Sequence, residues 1–244
     1  MQTVAYTALH YGAQYLRWAI RSVIDQIDTY VVLYSPEGSH GTRSAVRCPE
    51  SRDQLYAIAQ DAAGLKLKWI DGVWDYEGQQ RDTIYDIAPY ADLILTVDAD
   101  EIWATDMVYH LQKMRFQAPR KVRLPMIHYW RSFHKAIVHD PAFPVRAVFP
   151  KMKDTEETIW EANFISHMGY AQTPDIVAYK WLIHGHKGQF RTDCDWFRDK
   201  YVANAQTDTH PVGSEFWQPE TVDPLRYMPA WMVEHPFFYK ELIE

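Results

Sequence analysis

Through its first half the chain alternates short apolar runs with amphipathic stretches. Thr3 to Leu9 is a compact apolar run that predicts a strand, and Gln14 to Gln26 carries Leu16, Ala19, Ile20 and Val23 on one helical stripe. Tyr30 to Tyr34 is a second run of the kind a buried parallel strand gives. Ser35 to Pro49, with its Pro, Gly, Ser and His residues, reads as a loop. Ser51 is the expected N-cap of a helix through Ala63, which Gly64 ends. Leu65 to Ile70 predicts a third strand, Gly72 to Gly78 a loop, and Gln79 to Ala88 a helix stopped by Pro89. Leu93 to Val97 predicts a fourth strand, and a helix follows from about Thr105 to Phe116. This order predicts an α/β fold with an open, mostly parallel sheet and helices on both faces. In such sheets ligands sit beyond the carboxyl ends of the strands.

The second half is less regular. Lys121 to Trp130 and Val145 to Phe149 read as strands, the first antiparallel at the edge of the sheet. Phe133 to Pro144 between them is a loop rich in His and Pro, and the charged stretch Pro150 to Glu161 is a candidate lid. Helices are expected over Asp175 to Leu182 and Cys194 to Ala205, with little secondary structure in the aromatic tail to Glu244. No repeat or low-complexity linker interrupts the chain. The expectation is one domain over residues 1–244, in two halves, 1–103 and 104–244.

Composition narrows the class. With 47% apolar and 23% charged residues the 244-residue chain belongs with ordinary folded proteins. A net charge of -7 disfavours a nucleic-acid partner, because gripping phosphates calls for a basic face. The two cysteines, Cys48 and Cys194, are far apart and fit neither a disulfide scaffold nor a zinc knuckle. No basic stretch leads into an apolar h-region and no run is long enough to span a bilayer, so the expected location is cytoplasmic, with no membrane span.

The chemistry centres on Asp98-Ala99-Asp100-Glu101, directly after the fourth strand. If strand geometry persists through Asp100, residues two apart project to one side and both carboxylates face one cation. Mn²⁺ and Mg²⁺ favour such hard oxygen ligands and keep open positions for substrate phosphates.

The first half resembles nucleotide-sugar glycosyltransferases of the GT-A fold, in particular the family-2-like branch, where an Asp-x-Asp motif ends the strand dividing the nucleotide half from the acceptor half. Three segments carry the resemblance: Tyr15-Leu16-Arg17-Trp18-Ala19-Ile20-Arg21-Ser22-Val23, the pair Arg81-Asp82, and Asp92 through Glu101. Asp82 stands where the family has Asn. The resemblance covers roughly residues 1 to 115 and implies a Rossmann-like mixed sheet flanked by helices. It also implies a metal-dependent transfer from a nucleoside-diphosphate-sugar to a hydroxyl acceptor. On that basis Asp100 is the direct metal ligand, Asp98 binds metal or ribose, and Arg81 contacts the nucleotide or fixes the acidic loop. Thr7, Ala8 and Leu9 lie beside the base, and the loop entered at Ser35 touches the nucleoside. His10 stands where the family more often has Asn.

A third metal ligand is sought among the histidines. His184-Gly185-His186-Lys187 follows an apolar stretch, and two histidines two apart on an extended segment face the same way. Several GT-A enzymes use a C-terminal histidine here, which makes His184 and His186 candidates and Lys187 a counter-charge for diphosphate. His167, in a His-x-Gly-Tyr segment resembling the family's acceptor side, competes for the role. An inverting transferase also needs a carboxylate base near the acceptor. Asp140, Asp154, Glu157, Glu161 and Asp175 all lie in the second half; Glu161 is the choice because it adjoins Trp160, with Asp175 next. Trp130, Trp160 and Trp181 are candidates to stack on sugar or base rings.

Two other functions use the same features. A metal-dependent nucleotidyltransferase or phosphohydrolase would also hold a cation on strand-end acids, although His10-Tyr11-Gly12-Ala13 lacks the glycines and basic residue of a phosphate loop. An inactive carbohydrate-binding protein of the same fold is the other. The acceptor reads as a glycan or another hydroxyl-bearing molecule, including a protein or a modified DNA base. For DNA, the basic run of Arg115, Arg120, Lys121, Arg123, Arg131, Lys135 and Arg146 stands against the net acidity.

Overall fold

The computed structural model describes residues 1–38, 47–114, 121–138, 140, 143–152, 158–159, 163–183, 195, 197–203 and 218–244. Trp160, Glu161, His184, His186 and Lys187 lie outside the described residues, as do Asp154, Glu157 and Cys194.

Strands β1 (Thr3–Leu9), β2 (Thr29–Tyr34), β3 (Leu67–Asp71) and β4 (Leu93–Thr96) pair in parallel in the order β4-β1-β2-β3. Helices α1 (Leu16–Val23), α2 (Arg52–Ala63) and α3 (Glu77–Ile87) connect them. Strands β1, β2 and β4 read as apolar runs because both faces are covered, while β3 at the edge is only partly buried. Ala5, Leu9, Tyr30, Val32, Leu93 and Leu95 join Leu16, Ile20, Leu55 and Ala59 in one buried cluster. Val4, Tyr6, Val31, Leu33 and Ile94 form another with Ile84 of α3. The period-two alternation along each strand thus sorts side chains to α1 and α2 on one face and α3 on the other. Ser51 caps α2 by accepting the Gln54 N–H, and Gly64 ends it at φ 56°.

Beyond β4 the sheet turns mixed. Strand β9 (Val145–Val148) runs antiparallel to β4, β6 (Lys121–Arg123) antiparallel to β9, and β10 (Thr158–Ile159) parallel to β6. The outcome is an α/β fold with a mixed sheet flanked by helices, Rossmann-like in its parallel half.

A second sheet was not expected from the pattern. It orders β12 (Glu220–Thr221), β8 (Lys135–Ile137), β7 (Met126–Trp130), β11 (Ile165–Tyr170) and β5 (Glu101–Trp103). The single strand expected over Lys121 to Trp130 is two strands in different sheets. They part at Leu124-Pro125: the Leu124 N–H turns to the Pro144 carbonyl, and Pro125 has no N–H to donate. The loop expected from Phe133 to Pro144 contains β8, and Glu101-Ile102-Trp103 is too short a run to announce β5. Helices α4 (Met107–Lys113) and α5 (Pro174–Ile183) match the expected positions within the described residues. In place of the helix expected over Cys194 to Ala205, the described part has a π-helical turn at Phe197–Val202.

The tail folds back onto the body. Its short turn Ala230–Glu234 brings Trp231 to stack on Trp18, with centroids 6.0 Å apart, and His235 stacks on Tyr15 at 4.7 Å. No helix among the described residues is long and apolar enough to cross a membrane.

Candidate functional site

Two chain turns meet where the strand order reverses, between β1 and β4, the crevice in which doubly wound sheets bind ligands. The first follows β1 and contains Gly12; the second follows β4 and contains the acids. Gly12 takes φ 139°, and a Cβ there would lie 2.5 Å from the Ala99 Cβ, so only glycine lets the turns pack. Thr7 anchors the second turn from below: its hydroxyl donates to the Val97 carbonyl at 2.6 Å and meets the Tyr30 hydroxyl at 2.5 Å.

Strand geometry does not persist through the acids. β4 ends at Thr96, and residues 97–100 form a turn in which the Glu101 N–H donates to the Asp98 carbonyl at 3.0 Å. The carboxylates consequently find different partners. Asp98 Oδ1 lies 2.9 Å from Arg81 Nη2, and Asp98 Oδ2 lies 2.9 Å from Arg146 Nη2. Arg81 also bonds Glu77 one helical turn back, at 2.5 Å, while Arg146 holds the fully buried Glu101 at 2.5 Å. Burial alone would raise the Asp98 carboxyl, but the Arg81 and Arg146 guanidiniums bring it down to about 2. Burial pushes Glu101 up to about 7 against the pull of Arg146, with Asp98 adding to the rise.

Asp100 faces the opposite wall. Lys180 Nζ donates to its Oδ2 at 3.3 Å and Gln172 Nε2 at 3.2 Å, while His167 Nε2 stands 3.6 Å from Oδ1. Its carboxyl is lowered: burial works upward, but Lys180 and His167 outweigh it. His167 is driven down to about 3, first by burial and then by His128, Lys180 and Arg146, with Asp100 opposing, so the ring is neutral at ordinary pH. A Cβ at Gly169 would come within 2.5 Å of the His167 Cε1 and 2.9 Å of Lys180 Nζ. The glycine of the His-x-Gly-Tyr segment thus leaves room for both side chains.

Together these groups line a cavity of about 210 Å³ that includes Ala8, His10, Tyr11, Arg81, Asp98, Asp100, His167 and Lys180. A larger cavity of about 660 Å³ lies among Pro125, Met126, Ile127, Phe143, Phe164 and Tyr227. Among the described residues, Asp140 and Arg226 alone bring charge to that larger one, and the smaller holds the concentration of charged groups. Polar atoms without hydrogen-bond partners mark the smaller cavity: Arg81 Nη1 and Gln172 Oε1 are both buried and neither is bonded. Unmet polar atoms at one cavity are what a polar ligand would satisfy.

Of the residues singled out in the sequence, Ala8, Arg81, Asp98, Asp100 and His167 line this cavity. Leu9 is buried in the core. Ser35 is buried as well; its hydroxyl donates to the Glu37 carbonyl and its own carbonyl meets His10 Nδ1 at 2.8 Å. Asp175 is exposed at the start of α5, and Trp181 packs against the cluster of Trp130, Tyr170 and Tyr201. Lys180, Gln172 and His128 were missed, and no spacing in the sequence marks them. Arg146 and Arg131 belong to the basic run, but neither extends freely into solvent: Arg131 is buried and donates to the Tyr201 carbonyl at 2.5 Å, and Arg146, 13% exposed, pairs with acids. The run is therefore not a continuous surface.

Among the described residues no three His, Cys, Asp or Glu side chains converge as a ready-made cation site. Asp100 Oδ1 and the neutral His167 do supply a carboxylate and an imidazole donor facing one gap. Two such donors suit a cation that draws its remaining ligands from substrate phosphates. The turn after β1 does not suit a phosphate, because the Gly12 and Ala13 N–H groups donate to buried Glu50 Oε2 at 2.5 and 2.9 Å.

No known protein family is matched by the sequence, and no curated protein matches it. Among solved structures, S. aureus TarS 1-349 is 11% identical with a TM-score of 0.46, over 75% of this chain and 64% of that one. This chain therefore spans less than two thirds of that one. The 4-diphosphocytidyl-2C-methyl-D-erythritol synthase of Anaerococcus prevotii DSM 20548 is 11% identical with a TM-score of 0.37, over 66% of this chain and 89% of that one. A UDP-glucose pyrophosphorylase complexed with UDP-glucose is 9% identical with a TM-score of 0.32, over 61% and 69%.

Proposed function

We propose that this chain is a metal-dependent glycosyltransferase that moves a sugar from a nucleoside-diphosphate-sugar to a hydroxyl acceptor. The observation that carries the reading is the charged cavity at the reversal of strand order. There two acids, an unprotonated histidine and unsaturated cationic groups face one small space. Asp100 and His167 hold Mn²⁺ or Mg²⁺ in this reading, with His184 or His186 as a further ligand. When bound, the cation supplies Lewis-acid stabilisation of the departing diphosphate. Arg81, with Nη1 unbonded, and Lys180, held by long contacts of 3.3 and 3.4 Å, bind the diphosphate oxygens, joined by Lys187. Asp98 orients Arg81 and Arg146 and, in this reading, binds the metal or accepts a ribose hydroxyl.

Residues 1–103 form the donor half and 104–244 the acceptor half, where Glu161 or Asp175 serves as base in an inverting transfer. Ala8 and the loop at Ser35 flank the nucleoside. The occupied N–H groups of Gly12 and Ala13 weigh against a nucleotidyltransferase, which would need that turn for phosphate. The test is a thermal-shift screen of nucleotide-sugars with and without Mn²⁺. One nucleoside-diphosphate-sugar is expected to raise the melting temperature by several degrees only with the metal. Equal shifts with nucleoside triphosphates, or none with any nucleotide-sugar, would sink the reading.

A further inference from the structure

His167 does not end at the cavity. β11 and β7 run in parallel with His167 directly opposite His128, and the two rings meet edge to face at 86°. Their Nδ1 atoms are 2.8 Å apart. Two imidazole nitrogens at that distance share one hydrogen, so one ring donates and the other accepts. On its far side His128 Nε2 lies 3.1 Å from Asp140 Oδ2, at ion-pair distance but not in hydrogen-bond geometry, in a pair whose side chains are 11% and 8% exposed. An ionised carboxylate only accepts, so the hydrogen of His128 belongs on Nε2.

The remaining assignments follow in order. With the hydrogen of His128 on Nε2, its Nδ1 carries a lone pair and takes the hydrogen of His167 Nδ1. The His167 Nε2 is then a bare lone pair. It faces Asp100 Oδ1 across 3.6 Å, beyond hydrogen-bond length, as expected of two acceptors and not of a donor and an acceptor. Gly169 leaves that Cε1–Nε2 edge of the ring uncrowded.

We propose that His128 and Asp140 are positioning residues that hold His167 as its Nδ1–H tautomer, so that Nε2 stays a bare donor aimed with Asp100 at a divalent cation. The inference rests on the metal reading above. It adds that the site's tautomer is set from beyond the His128 ring, by a carboxylate that also lines the 660 Å³ cavity. Carboxylate partners of ligating histidines act in this way, and losing one costs about 10- to 100-fold in metal affinity.

The test reads the tautomer without metal. A long-range ¹H–¹⁵N spectrum of metal-free, ¹⁵N-histidine-labelled protein, assigned with His167→Asn and His128→Asn, distinguishes a protonated ring nitrogen from a bare one. The expected result is His167 protonated at Nδ1 and His128 at Nε2. Asp140→Asn can donate to His128 Nε2 and is expected to invert both rings and weaken Mn²⁺ binding about tenfold by electron paramagnetic resonance. Asp140→Glu is expected to restore both readouts. His167 protonated at Nε2 in the unaltered protein would overturn the proposal, as would an Asp140→Asn protein with unchanged tautomers and Mn²⁺ affinity. Failure of the unaltered protein to bind Mn²⁺, with the expected tautomers present, would overturn the metal reading and not the relay. The unaltered protein's spectrum decides the matter even if Asp140→Asn does not fold.

Discussion

Arg146 holds both carboxylate oxygens of Glu101, its Nη2 at 2.5 Å from Oε1 and its Nε at 3.1 Å from Oε2. The contact ties β9 of the first sheet to β5 of the second, directly beneath the acidic turn. Glu101 has no exposure, so removing its partner leaves a carboxylate stranded in the interior. Arg146→Met is expected to cost about 3–5 kcal/mol, and adding Glu101→Gln to recover much of it, because the buried charge then disappears. Urea denaturation of the two variants and the parent checks this. A double variant no more stable than the single one would contradict it.

The two motif aspartates are expected to fail differently. Asp98 is the shared counter-ion of Arg81 and Arg146, so Asp98→Asn should cost about 2 kcal/mol of stability and weaken donor binding with or without metal. Asp100→Ala should lower donor affinity by more than about a hundredfold in Mn²⁺ and leave the weak metal-free binding unchanged. Calorimetry with and without Mn²⁺ separates the two patterns. Identical losses would show that the acids act as one unit.

Gly169→Ala places a methyl group 2.5 Å from His167 Cε1 and 2.7 Å from its Nε2. Lys180 can swing aside, but the imidazole is held by His128 and must tilt. The expected result is a folded protein with Mn²⁺ affinity lowered about tenfold. A titration followed by electron paramagnetic resonance reads the affinity, and circular dichroism confirms the fold.

His235 predicts an acid-sensitive tail. Its Nε2 donates to the Gln14 carbonyl at 3.1 Å and its Nδ1 accepts the Phe237 N–H at 3.1 Å, an arrangement only the neutral ring satisfies. Burial lowers its pKa to about 4, against the opposing Gln14 bond. Above pH 6.5 both folded and unfolded chains hold it neutral. Between 6.5 and about 4 the unfolded chain takes up a proton that the folded chain refuses, so stability falls as pH falls, by up to about 3 kcal/mol. Subtracting the profile of His235→Gln isolates this contribution. The difference between the two proteins should be flat above pH 7 and shrink toward pH 4.5.

The parallel half of the fold was legible in the sequence because β1, β2 and β4 are buried on both faces and its helices carry their own stop signals. Ser51, Gly64 and the apolar stripe of α1 act within a few residues of themselves, and they form as their chemistry dictates. The second sheet was not legible. β5, β8 and β12 are two or three residues long, too short for a period to register, and pairing across distant segments is what makes them strands.

The acidic motif shows the same division. Its place at the end of β4 followed from the apolar run before it, but the direction of each carboxylate did not. A turn replaces the expected extended backbone, and Asp98 faces Arg81 and Arg146 while Asp100 faces Lys180, Gln172 and His167. These partners come from α3, β9, β11, α5 and the segment between the last two, up to 80 residues away in sequence. Local patterning along the chain determined where the acids stand. Which cations they face, and which tautomer His167 holds, only the tertiary structure decided, because charge pairing depends on distance through space and carries no period along the chain.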